Sequence, residues 1–187
     1  MSDISDEGSS GHSAVEALPL DGMGVGRWNL DPAGSRAEFH VKHFWGAITV
    51  HGSFGQINGE GSVGPDGTIT GRLQMDASSL STKNKRRDVH LRSADFFDSQ
   101  HHPEVVVTVT QAKSVGPATM ACVGTLEAAG QTQPIEFSAH VEDADAHAVT
   151  LRSELVIDRT TLSMTWRPLG VASKMALGTV VARFVHG

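Results

Sequence analysis

Cysteine is almost absent: Cys122 stands alone among 187 residues. No internal disulfide can form, which suits a reducing compartment. No stretch approaches the roughly 18–20 consecutive apolar residues that a membrane helix needs, so stable membrane insertion is not expected. Lysine and arginine are missing from the first 24 residues, which also hold no apolar block. That is not the pattern of a secretory signal, and with the single thiol it points to the cytoplasm. Catalytic and metal-binding signatures are missing too, with no G-x-S-x-G elbow and no H-E-x-x-H. The chain does have ten histidines. However, His40 and His43 fall on opposite faces of a strand, and His101-His102 precedes Pro103 in a loop, so neither a metal nor another cofactor is expected. The acidic net charge, with the chain beyond its first 24 residues nearly neutral, gives no support for a nucleic-acid binder, which usually shows a net basic face.

That acidic excess is unevenly placed. Asp3, Asp6, Glu7, Glu16 and Asp21 supply most of the net charge of −6, leaving the remainder nearly neutral. Residues 1–24, rich in serine, glycine and acid and without hydrophobic periodicity, read as a disordered acidic tail ahead of one domain over residues 25–187. Gly22-Met23-Gly24-Val25-Gly26 has no preceding strand and lacks the last glycine of a dinucleotide fingerprint, so it reads as a linker.

From there the sequence alternates with a period of two. Ala37, Phe39 and Val41 share one face, with Glu38, His40 and Lys42 on the other. The same pattern runs through Ile48–Phe54, Ile69–Ala77, Val105–Val109, Cys122–Ala128, Ile135–Val141 and Leu151–Ile157. Leu177–Val185 is apolar on both faces, so its register stays open. Asn58-Gly59, Gly64-Pro65-Asp66-Gly67 and Gly116-Pro117 are turn signals. With a short strand at Trp28–Asp31, the count is about eight strands joined by short connections. This predicts an all-β, eight-stranded antiparallel barrel of lipocalin type, closed on itself with room for one small ligand. Residues 79–98 break the alternation and predict a short helical excursion over one barrel end, capped by Asn84 or Thr82.

Several ordered blocks carry a resemblance. Trp28-Asn-Leu-Asp-Pro-Ala-Gly-Ser35, Glu38-Phe-His-Val-Lys-His43, Arg87-Asp-Val-His-Leu-Arg-Ser-Ala-Asp-Phe-Phe-Asp98 with His102-Pro103, Gly124-Thr-Leu126, Gly130-Gln-Thr-Gln-Pro-Ile135 and Ile157-Asp-Arg159 resemble the YceI-like family of lipocalin-like polyisoprenoid-binding proteins. The resemblance spans residues 27 to 186. It implies an extended barrel whose apolar pore takes a polyisoprenoid, an isoprenoid quinone or a fatty-acid-like lipid, and it admits a homodimer. Many members carry a signal peptide; here an acidic extension stands in its place. Within that span, Met164–Ala176 carries Trp166-Arg167-Pro168 and a short loop with no clear counterpart among these blocks, so the ligand can differ.

The inward apolar set then becomes the expected pore lining: Phe39, Val41, Ile48, Val50, Phe54, Leu73, Met75, Val105, Val107, Leu126, Ile135, Phe137, Leu155 and Ile157. Phe96 and Phe97 are expected as a lid or as an anchor for the excursion. Arg87, Asp88, His90 and Arg92 are candidates for a polar mouth, or for a loop held by local Arg87–Asp88 and Arg92–Asp95 pairs. Cys122, on the inward face, reads as a small inert hydrophobe. The function expected is binding, storage or transport of a long-chain amphiphile without catalysis. Two alternatives stay open. One is a filled barrel serving as an interaction scaffold through its acidic tail. The other is a lipid-modifying enzyme using His43 or His90 with Asp88.

Overall fold

The computed structural model describes residues 23–43, 46–165 and 172–187. Most of the acidic segment, and Trp166-Arg167-Pro168, therefore lie outside the described residues. Eleven strand segments form one antiparallel sheet: β1 (Gly26–Leu30), β2 (Arg36–His43), β3 (Ile48–Phe54), β4 (Ile57–Val63), β5 (Ile69–Asp76), β6 (Leu80–Ser81), β7 (Glu104–Gly116), β8 (Thr119–Ala128), β9 (Gln131–Ala144), β10 (Ala148–Asp158) and β11 (Ala172–His186). Among the described residues a single α-helix, α1, spans Lys85–Arg92.

These segments make eight strands. β1 and β2 lie end to end along β11, β1 facing residues 184–186 and β2 residues 172–181. Across from them, β1 pairs with β4 and β2 with β3. β5 and β6 in turn follow β4 and β3. With β7 to β11 they close an eight-stranded antiparallel barrel in sequence order, sealed by β1 on β11.

Three adjacent strands are thus broken at one level. In the first, Pro32 lacks the N–H a ladder needs, and Asp31–Ser35 forms a short 3-10 turn in which Asp31 accepts from the Ala33 N–H at 3.0 Å. In the third, Ser79 Oγ accepts from the N–H groups of both Gly55 and Gln56 at 3.0 Å. That hydroxyl ties the break in the second strand to the break in the third. Beyond the break β6 leaves the ladder: β5 pairs with β7 only as far as Asp76 opposite Glu104. Residues 82–103, including α1, fill the gap, and the barrel is widest there.

At the opposite end the barrel is packed shut. Trp28 is 2% exposed and sits with Val63 and Val149, and its Nε1 donates to the Gly24 carbonyl at 3.0 Å. Among the described residues no helix is long and apolar enough to cross a membrane.

Two expectations need correcting. Asn58-Gly59 is not a turn but part of β4. A Cβ on Gly59 would lie 2.7 Å from the Arg72 carbonyl, so this glycine serves close strand approach. Strand β7 runs on to Gly116, past the Val109 where alternation stops, because register shifts after Val109 put Ala112 inward in place of Gln111.

Candidate functional site

Alternation on a closed barrel sends one face of every strand to a common interior. That interior is hollow at the wide end, where a cavity of about 540 Å³ lies against α1. A second chamber of about 120 Å³ continues toward Trp28. Val107, Leu155 and Val180 line both and mark where they meet.

Twelve of the expected lining residues surround the wide chamber: Phe39, Val41, Val50, Phe54, Met75, Phe96, Phe97, Val105, Val107, Leu126, Leu155 and Ile157. Leu73 and Phe137 line the narrow chamber instead. Ile135 is buried in the wall and lines neither chamber. Ile48 departs furthest from expectation. It shares the phase of Val50 but pairs with His43 at the last rung of its strand, and it is 53% exposed at the rim.

The aromatic groups are organised by the excursion. Phe97 packs on Phe54 edge to face at 5.8 Å and on Phe39 at 6.3 Å. Phe39 lies across Gly52, where a Cβ would fall 2.2 Å from the ring. That glycine gives the Phe39 ring its place in the wall. Phe96 meets the His90 ring edge to face and lies under the Arg159 guanidinium at 5.9 Å. Phe96 and Phe97 therefore anchor the excursion and line the chamber at once.

The polar candidates divide. Arg87 and His90 line the wide chamber; Asp88 and Arg92 do not. Asp88 is buried and accepts from the N–H and hydroxyl of Thr82. Arg92 donates to the Leu80 carbonyl. The local pairs expected from the sequence are replaced: Arg87 donates to Thr82 Oγ1 at 2.7 Å and to the Thr82 carbonyl at 3.0 Å, and Asp95 lies 3.0 Å from His90 Nε2. Leu80 of β6 and Thr82 just after it lie beside α1 and supply the partners instead. Asn84 supplies the N-cap, accepting from the Arg87 N–H at 3.1 Å.

Periodicity overlooked the turn after β10 and one face of β11. Arg159, Leu162 and Met164 line the wide chamber from that turn, and Ala176, Gly178 and Val180 from β11. Turns carry no periodic signal, and a strand apolar on both faces hides its phase. Arg159 is 5% exposed; its Nε donates to the Ser173 carbonyl at 2.8 Å and its Nη1 to the Met164 carbonyl at 2.7 Å. His43 enters the same end of the chamber. Burial lowers its pKa first, and the Arg159 and Arg87 charges lower it further. Cys122 is buried against Ala112, Met120 and Ala139 in the narrow end, where desolvation pushes its thiol up to about 11. Among the described residues no group of three or more His, Cys, Asp or Glu side chains is placed to hold a metal ion.

A closed eight-stranded barrel with an apolar chamber under a helical excursion defines a lipocalin-like protein. The model of the YceI-like domain family matches residues 28–182, and the chain belongs to that family. A UPF0312 protein of Vibrio cholerae is 29% identical over 133 residues, covering 69% of each chain. One from Staphylococcus aureus is 34% identical over 98 residues, covering 50% of this chain and 57% of its own. Two solved structures share the fold. BcnA of Burkholderia cenocepacia superposes with a TM-score of 0.75 at 14% identity, over 82% of this chain and 98% of its own. A polyisoprenoid binding domain from Saccharophagus degradans superposes with a TM-score of 0.71 at 20% identity, over 86% and 98%.

Proposed function

We propose that this protein binds a long-chain amphiphile in the wide chamber, stores or carries it, and does no chemistry on it. The observation that carries this reading is the apolar cavity of about 540 Å³, a size and lining typical of small-molecule sites. Taking a chain out of water contributes about 0.8 kcal/mol for each CH₂ buried. A filled scaffold would have no such space. The enzymatic alternative needs Asp88 beside His43 or His90, whereas Asp88 is engaged by Thr82. The polyisoprenoid binding named for the Saccharophagus domain supports an isoprenoid or similarly long lipid here. A cytoplasmic setting, a homodimer and the absence of a nucleic-acid partner belong to the same proposal.

The test pairs an inward with an outward substitution on β3. Val50→Asp places a carboxylate in the chamber, and His51→Asp places one outside. Native mass spectrometry of the full chain offered polyprenols, quinones and fatty acids should show binding lost in the first variant and kept in the second. Equal loss in both, with both folded by circular dichroism, would reject the chamber as the site.

A further inference from the structure

Helix α1 has two unlike sides. Asp88 and Arg92 bond to Thr82 and Leu80 and hold it to the barrel. Lys83, Lys85, Arg86 and Val89 are exposed instead. No described carboxylate lies within ion-pair distance of these three cations. The remaining acids of the excursion are engaged: Asp95 lies 3.0 Å from His90 Nε2, and Asp98 lies 2.9 Å from His101 Nδ1. Ile48, 53% exposed, stands on the same rim, because its rung partner His43 lines the wide chamber together with Asn84 and Arg87. The wide end therefore presents uncompensated positive charge beside exposed aliphatic side chains.

The other end carries the opposite sign. Asp3, Asp6, Glu7, Glu16 and Asp21 precede Met23, which packs with Trp28, Val63 and Val149 at the narrow end. The chain thus joins its acidic segment to one end of the barrel and its basic helix to the other. An anionic surface attracts the first of these ends less than the second, and so orients the molecule before contact. Cations next to aliphatic tips suit a surface where phosphate lies above acyl chains. We propose that the outer face of α1, with Ile48, docks on an anionic phospholipid bilayer. The protein rests on that surface without spanning it, with the wide chamber toward the lipid. The purpose of the contact rests on the chamber being the lipid site; the contact itself does not.

The experiment is co-sedimentation of the full chain with vesicles of phosphatidylcholine alone or mixed equally with phosphatidylglycerol. Binding should appear only with the anionic vesicles and should be lost at high salt. Lys85→Glu should weaken it about tenfold or more. A carboxylate at that first helical position suits the helix dipole, so the loss is not one of folding. Lys113→Glu, the same change of charge on an exposed position of β7, should leave binding unchanged. Val89→Trp should tighten it several-fold, since tryptophan favours the bilayer interface. Val50→Asp, which blocks the chamber, should still sediment; its loss from the pellet would mean capture of lipid in the barrel and overturn docking. No binding by the native chain, or equal loss in Lys85→Glu and Lys113→Glu, would also overturn it. Retention on polyglutamate as strong as on the anionic vesicles would reject the bilayer in favour of an acidic protein.

Discussion

At His43, burial and the facing Arg159 and Arg87 charges all oppose a further proton, so the imidazole titrates below its ordinary 6.5. The unfolded chain, with its histidine at the ordinary value, then holds the proton more tightly than the fold does. Stability from this residue is fully present above pH 6.5 and is lost as pH falls through that value, until the lower folded-state pKa is reached. His43→Asn should lose less melting temperature than the native chain between about pH 8 and about pH 5. Thermal unfolding across that range checks it, and parallel curves for the two proteins would refute it. Cys122 shows the opposite design. Its thiol is buried among small apolar side chains and stays neutral, so it acts as a packing group.

Among the elements, α1 is unusual in having almost no apolar face: it reads Lys-Arg-Arg-Asp-Val-His-Leu-Arg, and Val89 is 69% exposed. Burial of an amphipathic stripe, which supplies most helical stability in proteins, is not what holds it. Polar bonds do so instead: Asp88 to Thr82, Arg92 to Leu80 of β6, and Asn84 at the cap. Such a helix should be sensitive to its cap. Asn84→Ala is expected to cost about 1 kcal/mol and to lower the melting temperature by roughly 2–4 °C, readable by circular dichroism. An unchanged melting temperature would show that packing by Phe96 and Phe97 is sufficient.

For the whole molecule, the two chambers set a length. A linear chain entering from the excursion fills the wide chamber first and the narrow one next, in series. Trp28, Val63 and Val149 close the far end. Affinity should climb with chain length by up to ~0.8 kcal/mol per carbon and level off once the chain reaches Trp28. Titration with saturated and prenyl chains of increasing length tests this. A climb without a plateau would mean that the barrel opens beyond Trp28.

The sequence alone determined the class of fold and the inward face of most strands. A period of two on a closed barrel assigns each side chain to inside or outside without further information, which is why Phe39, Val50, Phe54 and Leu155 were legible. It also marked residues 79–98 as the exception. What it could not supply was position along the barrel axis. Ile48 and Phe137 have the right phase, yet one lies at the rim and the other in the narrow end, because axial height depends on register between strands distant in sequence. Nor could periodicity place Arg159 or the partners of Asp88. A turn has no period, and which of several nearby groups meets a buried charge is decided only when the chain on either side of α1 is in place. The chamber itself was a tertiary outcome, since its wall is assembled from β2, β3, β5, β7, β8, β10 and β11 together with α1 and the turn after β10.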